Sequence, residues 1–518
     1  MNRHERRRLE KQRRLAQRLP AGRGDPADAL HLALQHHQAG QSRQAEALCR
    51  KLLDRQPDHA EALNLLAIVL YHDDRQKPAR DLIERALAAN PEFAGAHNTL
   101  GNMLFEQGAL DDAATAFGRA LEYQPDFADA RSNLGNVYAR KGRVDDAAAC
   151  YRRVIEAEPN HPDAHFNLGN VQRDRGRFVE AEAAYRRALA LRPRWAQVLV
   201  ELGRAQQLAG RLSEASKTYR RAMSEKPDLA QAHGCLADCL SLLGQAPEAE
   251  TCFRRALEID PRYASAASGL GSLLAARGQT EDAIAAFERA LAADPEHATA
   301  SHMKAALTGA PNRKAPRTYV KTLFDSYAGR FDRHLVEALD YRVPQHLGKA
   351  VSDLSRGRRD WRVLDVGCGT GLCGLEFRPL AKQLVGIDLA PLMVAKARER
   401  GVYDQVYEAE LTEFLDGREG RFDLAVAGDV FIYVGALEEV FSTLGRALEP
   451  GSLFALSIER SENRELTLCP SGRFAHSIAY LERLGREHGF VTALNREVGI
   501  RKQDGEAIPG NVLVMTRQ

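Results

Sequence analysis

The stretch NLGNVYARKGRVDDAAACYRRVIEAEPNHPDAHFNLGN, residues 133–170, begins and ends on the same four letters, spaced 34 residues apart. Outward from it, three columns keep this period through eight copies: a leucine, an alanine thirteen residues later, and a proline that closes the copy. The residue after each leucine is always Gly or Ala. The columns are Leu32, Leu66, Leu100, Leu134, Leu168, Leu202, Leu236 and Leu270; Ala45, Ala79, Ala113, Ala147, Ala181, Ala215, Ala249 and Ala283; and Pro57, Pro91, Pro125, Pro159, Pro193, Pro227, Pro261 and Pro295. Agreement of this extent indicates an internal repeat and not chance.

Each copy has the composition of two packed helices. The small residue after each leucine lets one helix approach the other closely, and a large aromatic residue in most copies fills the space between them. The proline ends the second helix. Because one helix pair cannot bury its apolar face alone, neighbouring copies must stack. The aromatic column comprises Phe117, Tyr151, Tyr185, Tyr219, Phe253 and Phe287.

This pattern resembles the tetratricopeptide repeat. The resemblance covers residues 26–297 and implies an all-α solenoid of eight helix pairs, followed by a capping helix that begins at His297. Such arrays present a concave groove lined by the first helix of each pair. Here that helix carries Asn102, Asn133, Asn136, Asn167 and Asn170.

The asparagines suggest a ligand for the groove. An Asn side chain can pair with both the N–H and the C=O of an extended peptide, so it recognises a peptide without reading its sequence. Similar asparagine rows line the peptide groove in the repeats of O-linked N-acetylglucosamine transferases. The resemblance therefore implies a protein or peptide partner. The alternative is that asparagine is merely a frequent polar filler at these positions.

The rest of the chain divides into three parts. Residues 1–25 form a basic arm, predicted to be a solvated and frayed helix because no apolar or aromatic face accompanies its charge; the alternative is an arm that contacts nucleic acid or anionic lipid. Residues 298–318 hold the capping helix and a linker rich in Pro, Gly and basic residues. The 34-residue period is lost from residue 319 to residue 518, which predicts a second domain.

Composition excludes several classes of protein. The formal net charge of +2 gives no reason to expect nucleic-acid binding, and no apolar run is long enough to cross a membrane. None of the eight cysteines forms a CxxC pair, so no disulfide framework and no metal site is predicted. Buried thiols of this kind favour a reducing, cytoplasmic location.

A glycine-rich turn marks the second domain. In WRVLDVGCGTGLCGLEF, residues 361–377, a short apolar strand meets Asp365, three alternating glycines and then a helix. Glycines let the backbone pass close under a ligand in a tight strand-to-helix turn. The spacing Gly369-x-Gly371-x-x-Gly374 also satisfies the GxGxxG pattern of dinucleotide-binding enzymes, so the turn alone leaves an NAD-dependent enzyme open.

The run Gly367-Cys368-Gly369-Thr370-Gly371, with Asp365 two residues before its first glycine, resembles motif I of class I S-adenosylmethionine (SAM) methyltransferases. Three later features resemble the same family: a strand that ends at Asp388, a third strand at 406–415 with Glu410, and the run at 421–459, which gives a strand, a helix and then Pro450-Gly451 before another strand. The resemblance spans residues 319–518. It implies an α/β, Rossmann-like fold and SAM as cofactor. The architecture as a whole looks like that of bacterial methyltransferases with amino-terminal tetratricopeptide repeats.

The resemblance implies a role for each residue that matches a family motif. Gly367, Gly369 and Gly371 would lie against the methionine and ribose of SAM, and Asp365 would accept from its amino group or orient the turn. Asp388 would accept the ribose hydroxyls, and Glu410 would lie near the adenine amino group. Asp429, at the end of the fourth strand, would border the cofactor or the substrate.

The methyl acceptor is less constrained. Methyl transfer needs alignment more than a dedicated acid or base, so no residue must be catalytic. Candidates for contact with the acceptor or for removal of its proton, and so for any catalytic role, are Tyr327, Tyr433, Arg473 and His476. No Asn/Asp-Pro-Pro-Tyr turn and no Pro-Cys dipeptide occurs, which argues against amino-directed nucleic-acid and cytosine carbon-5 methylation. A small molecule or a carrier-bound group remains. The alternative is an interaction scaffold whose second domain is a catalytically inactive methyltransferase-like fold.

Overall fold

The computed structural model describes residues 26–335, 339–355, 357–418, 420–503 and 506–518. The predicted basic arm, residues 1–25, lies outside the described residues. The chain divides into two compact units, of which the first ends at Val171 and the second begins at Gln172.

Sixteen helices of 12 to 14 residues fill the chain from residue 26 to residue 293 as eight consecutive pairs. They are α1 Pro26–Gln38, α2 Ser42–Leu53, α3 Ala60–His72, α4 Gln76–Ala89, α5 Ala94–Glu106, α6 Leu110–Tyr123, α7 Ala128–Arg140, α8 Val144–Ala157, α9 Pro162–Asp174, α10 Phe178–Leu191, α11 Ala196–Leu208, α12 Leu212–Glu225, α13 Ala230–Leu242, α14 Ala246–Ile259, α15 Ala264–Ala276 and α16 Thr280–Ala293. Helix α17, Ala298–Thr308, follows them. The predicted helical repeat array is thereby confirmed.

The small and the aromatic columns meet inside each pair. A Cβ added at Gly101 would lie 2.5 Å from the ring of Phe117, and one added at Gly203 would lie 2.6 Å from the ring of Tyr219. Both rings are fully buried and cannot move aside. The glycines are therefore required by packing between helices rather than by backbone conformation.

This packing predicts opposite effects for two glycines of one repeat. Gly101→Ala should lower the free energy of unfolding by about 1–3 kcal/mol, because it overpacks the contact with Phe117. Gly118→Ala, in helix α6 with no heavy atom within 4 Å of the added Cβ, should raise it by about 0.5–1 kcal/mol through helix propensity. Urea unfolding followed by circular dichroism measures both changes. A shift of the same sign in both variants would contradict the proposed packing.

In the second unit, a mixed sheet follows the repeats. Its strand order is β3-β2-β1-β4-β5, all parallel, and β9 then pairs antiparallel with β5 and with β8. The short hairpin β6–β7 extends β5 at its end. The strands are β1 Trp361–Val366, β2 Ala381–Asp388, β3 Gln405–Glu408, β4 Phe422–Ala427, β5 Leu448–Arg460, β6 Leu466–Leu468, β7 Phe474–His476, β8 Phe490–Gln503 and β9 Glu506–Arg517.

Helices cover both faces of this sheet. Alternate residues of one strand enter different cores: Leu364 packs with one apolar cluster and Val363 with the other. Because both faces are buried, the central strands are nearly continuous apolar runs, and the predicted α/β fold is confirmed. The helices are α18 Arg317–Tyr327, α19 Phe331–Arg333, α20 Val343–Ser355, α21 Leu372–Phe377, α22 Pro391–Arg400, α23 Leu411–Leu415, α24 Glu438–Ala447 and α25 Ile478–Glu487, with 3-10 turns at Arg378–Leu380 and Phe431–Tyr433. Among the residues that the structure describes, no helix combines the length and hydropathy that a bilayer crossing requires.

His302, on helix α17, ties the end of the repeat array to the sheet domain. Its ring is fully buried, and Nε2 lies 2.8 Å from the carbonyl oxygen of Gly472. Nδ1 lies 3.2 Å from the side-chain amide of Asn312. The ring packs against Tyr319 and Phe474, at centroid distances of 4.5 and 5.9 Å. Burial lowers the pKa of His302, so the ring is neutral and joins the two parts without an unpaired charge.

Candidate active site

A cavity of about 620 Å³ lies at the carboxyl ends of β1, β2 and β4, the edge at which open α/β sheets bind ligands. Helices α18 and α19 contribute to its wall. Eight of the residues predicted from sequence line it: Tyr327, Gly367, Gly369, Asp388, Glu410, Asp429, Tyr433 and Arg473. Asp365, Gly371 and His476 do not belong to its lining.

The glycine turn has left-handed backbone at all three predicted positions. The φ values are +62° at Gly367, +54° at Gly369 and +96° at Gly371. A Cβ added at Gly367 would lie 2.6 Å from Val430, whereas one added at Gly369 would have no closer neighbour than Phe331, at 3.7 Å. Gly369 therefore leaves open space at the surface of the cavity, as a backbone that passes under a ligand must.

Asp388 fastens the turn to the end of β2. Its Oδ2 accepts the Gly369 N–H at 2.9 Å, and its Oδ1 accepts the Ala390 N–H at 2.8 Å. Each carboxylate oxygen keeps a second lone pair for a ligand hydroxyl. Burial raises the pKa of Asp388 to about 6, and the backbone N–H groups oppose that rise.

Asp365 lies at the end of β1 and is buried. Its Oδ2 accepts the Tyr403 hydroxyl at 2.6 Å, while its Oδ1 is buried without a hydrogen-bond partner. Burial raises the pKa of Asp365 to about 7. In this structure the group orients Tyr403, whose ring packs against Gly374 of the same turn.

We expect the charge of Asp365 to destabilise the protein above neutral pH. Its folded pKa of about 7 exceeds the ordinary value of 3.8, so its stabilising contribution is full below about pH 4 and is lost as the pH rises to about 7. Asp365→Asn is neutral throughout. Between pH 4 and pH 7 the Tm of the wild type should therefore fall relative to that of the variant, as measured by scanning calorimetry.

Asp360→Asn is the matched control. This exposed carboxyl has its pKa lowered by the Arg358 hydrogen bond, so its contribution is present above its unfolded pKa and is lost as the pH falls. Between pH 4 and pH 7 the Tm of the wild type relative to Asp360→Asn should therefore stay nearly constant, and it should fall only as the pH drops below about 4. If the Tm of the wild type and the Tm of Asp365→Asn changed in parallel with pH, the raised pKa of Asp365 would be refuted.

A chain of paired charges, buried at its centre, lies at the other end of the cavity. Arg501 donates to Asp429 Oδ2 at 2.6 Å and to Glu459, and Arg473 Nε donates to Glu459 Oε1 at 2.8 Å. Arg501 and Glu459 are each 6% exposed. Sequence reasoning missed both of these residues, because neither belongs to a motif: Glu459 ends a buried strand, and Arg501 lies in the last hairpin.

Asp429 has a strained backbone at the end of β4. Its φ of +62° is in the left-handed region, which a non-glycine residue seldom adopts. The Ser457 hydroxyl accepts its N–H at 2.8 Å, and Arg501 binds one of its carboxylate oxygens. The other oxygen, Oδ1, is buried without a partner. The strain therefore places a free acceptor atom on a residue that lines the cavity.

Aromatic and imidazole side chains form the wall on the side of α18. The Tyr327 hydroxyl hydrogen-bonds His334 Nδ1, and the Tyr433 ring packs edge-on against Phe324 at 5.0 Å. Burial raises the pKa of Tyr327 to about 12, and burial together with Arg330 lowers the pKa of His334. At neutral pH this wall therefore offers a neutral phenol and a neutral imidazole.

Two predicted residues have structural partners instead of a free side chain. Glu410 lines the cavity, but its Oε2 caps helix α23 by accepting the Thr412 N–H at 2.9 Å. His476 is fully buried, with Nε2 2.7 Å from the Gly435 carbonyl and its ring stacked on Tyr480. The structure thus does not bring His476 to the cavity, because the Gly435 loop lies against it.

The predicted asparagines of the groove hydrogen-bond one another from repeat to repeat. Asn133 Nδ2 donates to Asn98 Oδ1 at 3.1 Å and to Asn102 Oδ1 at 3.0 Å. Asn167 Nδ2 donates to Asn136 Oδ1 at 3.1 Å. The ladder holds these amides in fixed orientations, which is what a preformed peptide-binding surface requires.

Comparison with known proteins agrees with this architecture. A methyltransferase domain model matches residues 364–456. Tetratricopeptide repeat models match residues 99–162, 133–197, 172–239 and 228–296, and the model of subunit 3 of the anaphase-promoting complex, or cyclosome, matches residues 38–120.

Curated relatives match part of the second domain. The ubiquinone biosynthesis O-methyltransferase of Bradyrhizobium sp. (strain ORS 278) is 34% identical over 99 residues, which are 18% of this chain and 39% of the relative. The malonyl-[acyl-carrier protein] O-methyltransferase of Salmonella typhimurium is 27% identical over 138 residues, 27% of this chain and 52% of the relative. The chain thus spans about half, or less, of the length of these relatives.

Two of the solved structures similar to the chain are tetratricopeptide repeat proteins by name. One is a thermophilic TPR protein of Thermus thermophilus, which is 26% identical. The match covers 35% of this chain and 98% of that protein's chain, with a TM-score of 0.32. Another is a tetratricopeptide repeat protein of Parabacteroides merdae, which is 18% identical. The match covers 48% of this chain and 98% of that protein's chain, with a TM-score of 0.42. The matched tetratricopeptide repeats, within residues 99–296, thus precede the matched methyltransferase domain, residues 364–456.

Proposed function

We propose that the cavity binds SAM and that the protein transfers a methyl group from it to a small molecule or a carrier-bound group. The observation that carries this proposal is the open space over Gly369 beside the half-buried carboxylate of Asp388. A side chain at Gly369 would occupy that space, and Asp388 retains lone pairs for two hydroxyls. The residues present therefore fit an adenosyl cofactor.

Each part of the site has a separate task in this proposal. Gly367 and Gly369 let the backbone pass under the cofactor, Asp388 accepts the ribose hydroxyls, and Glu410 offers Oε1 toward the adenine. When bound, SAM supplies an electrophilic methyl group and a neutral thioether leaving group. The remaining work of the protein is to align the acceptor and to exclude water.

The acceptor atom is proposed to be oxygen. Both matched relatives described above are O-methyltransferases by name. Asp429 Oδ1, which is buried without a partner, can accept a hydrogen bond from a hydroxyl group of the methyl acceptor. That bond would orient a lone pair of the hydroxyl oxygen toward the methyl group. Most of the side chains that line the cavity near Tyr327 and Tyr433 are apolar, which suits an acceptor with a hydrocarbon body.

The repeat array is proposed to hold a protein or peptide, either the substrate or its carrier. The asparagine ladder around Asn133 and Asn136 supports this role, since its amides are already oriented. We place the reaction in the cytoplasm, because all eight cysteines are free thiols and seven of them are buried.

Calorimetric titration of the purified full chain with S-adenosylhomocysteine tests the proposed cofactor. A ligand at 100 times its Kd should stabilise the protein by about 2.7 kcal/mol, which a thermal-shift assay detects readily. NAD is the comparison ligand, because the turn also satisfies GxGxxG. A response to NAD alone, or to neither nucleotide, would exclude the proposed function, and the second outcome would leave an interaction scaffold. Mass spectrometry of a lysate incubated with labelled SAM then identifies the acceptor.

A further inference from the structure

The connection between α18 and α19 packs against the repeat array. A Cβ added at Gly329 would collide with the carbonyl oxygen of Leu208 and would lie 2.7 Å from the backbone nitrogen of Gly210. Backbone thus meets backbone, with no side chain between them. The array thereby fixes the position of the next residue, Arg330.

Arg330 extends into the wall of the cavity. Both Arg330 and Leu242, the last residue of α13, belong to the cavity lining. Arg330 Nη1 lies 3.5 Å from the Leu242 carbonyl oxygen, and Cζ lies 5.0 Å from the centre of the Tyr327 ring. Its Nε is buried and has no hydrogen-bond partner. One wall of the cavity is therefore built by the repeats and the methyltransferase domain together.

The charge of Arg330 lacks an acidic partner. Among the described residues that line the cavity, every other Lys or Arg forms an ion pair with a carboxylate: Lys314 with Glu439, Arg317 with Glu413, Arg473 with Glu459, and Arg501 with Asp429 and Glu459. The groups whose charge acts on Arg330 are the Tyr327 phenol and the Cys239 thiol, which are neutral at pH 7. Desolvation lowers the pKa of Arg330, as burial of an unpaired cation must.

An unpaired guanidinium in a partly buried site is costly unless a ligand supplies the anion. We propose that Arg330 binds an oxyanion of the methyl acceptor, a carboxylate or a phosphate, at a subsite that the repeat array completes through Leu242. Leu335 and Leu339 line the same cavity and suit an apolar body next to that anion. The acceptor is thus an amphiphilic anion. This inference rests on the proposed function for its reaction, but its binding test does not require turnover.

The competing explanation is that Arg330 only caps the carboxyl end of α13 through the Leu242 carbonyl. Three probes of equal chain length separate the two: hexanoate, hexyl phosphate and hexanol. The full chain is saturated with S-adenosylhomocysteine, and each probe is titrated by ligand-observed NMR. We expect one of the two anions to bind at least about tenfold more tightly than hexanol, and the preferred anion identifies the headgroup.

Arg330→Gln should abolish that preference and leave hexanol binding unchanged. Arg317→Gln is the matched control, since Arg317 lines the same cavity but is paired with Glu413 at 2.6 Å, and it should retain the preference. Equal binding of the three probes by the wild type, or an anion preference that survives in Arg330→Gln, would overturn the proposal. If Arg330→Gln also loses S-adenosylhomocysteine binding, Arg330→Lys decides, because it keeps the charge and should keep the preference. If the wild type does not bind S-adenosylhomocysteine, that result instead refutes the proposed function alone.

Discussion

Gly369→Leu is expected to weaken S-adenosylhomocysteine binding by about 100-fold, equivalent to about 2.8 kcal/mol. The added side chain would enter the space that the structure leaves open over the turn, where the nearest atom to an added Cβ belongs to Phe331, at 3.7 Å. The ligand and the leucine cannot occupy that volume together. Isothermal titration calorimetry on the purified full chain measures the loss directly.

Gly401→Leu isolates this steric effect from backbone strain. Gly401 ends helix α22 with a φ of +70°, close to the +54° of Gly369, and no atom lies within 4 Å of its added Cβ. Both variants therefore incur the left-handed backbone cost, about 1–2 kcal/mol, but only one fills the cavity. Gly401→Leu should lose stability and keep its affinity. Equal affinities in the two variants would show that the ligand does not lie over the turn.

Arg501→Met should destabilise the methyltransferase domain by about 3–5 kcal/mol, because it removes, among the described residues, the only cation of the half-buried Asp429 and one of the two cations of the buried Glu459. Arg501 bridges Asp429 and Glu459, and its side chain is only 5% exposed. Urea unfolding followed by tryptophan fluorescence measures the change. In a Trp195→Phe background the fluorescence reports on Trp361, which lies on β1 of the sheet.

Arg496→Met is the matched control on the same strand. Arg496 pairs with Asp353 at 3.2 Å, but the two side chains are 38% and 46% exposed, so the loss should be about 1 kcal/mol or less. Adding Asp429→Asn to Arg501→Met should recover part of the stability, because Asp429 is the carboxylate left without a cation, whereas Glu459 keeps Arg473. Equal losses of unfolding free energy in Arg501→Met and Arg496→Met would mean that the buried ion pairs of Arg501 stabilise the protein no more than the exposed pair of Arg496.

The period of 34 residues predicted the repeat array, because each column has one physical task that any copy must fulfil. The helix pairs begin and end within a few residues of the positions set by the leucine and proline columns, as with Ala94–Glu106 and Leu110–Tyr123 around Leu100. The glycine turn likewise predicted the cavity. Few residue types other than glycine adopt the left-handed backbone that the structure has at Gly367, Gly369 and Gly371.

The remainder of the candidate site depends on contacts between distant parts of the chain. Arg501 meets Asp429 across 72 residues, and Arg330 meets Leu242 across 88 residues. No spacing rule links such residues, so sequence reasoning could not find Arg501 or Arg330. It did name His476, because a histidine in a polar, aromatic loop is a plausible ligand contact; its Gly435 contact becomes visible only in the folded chain.

The buried ring of His302 also bears on how separable the two halves of the molecule are. A fragment that starts at residue 319 would lack both His302 and Met303, leaving the Gly472 carbonyl without its partner and the rings of Tyr319 and Phe474 uncovered. Arg473, which lines the cavity and donates to Glu459, directly follows Gly472. The sheet domain should therefore not be moved alone: a gene fusion or an engineered chimera should include the last helix of the array with it.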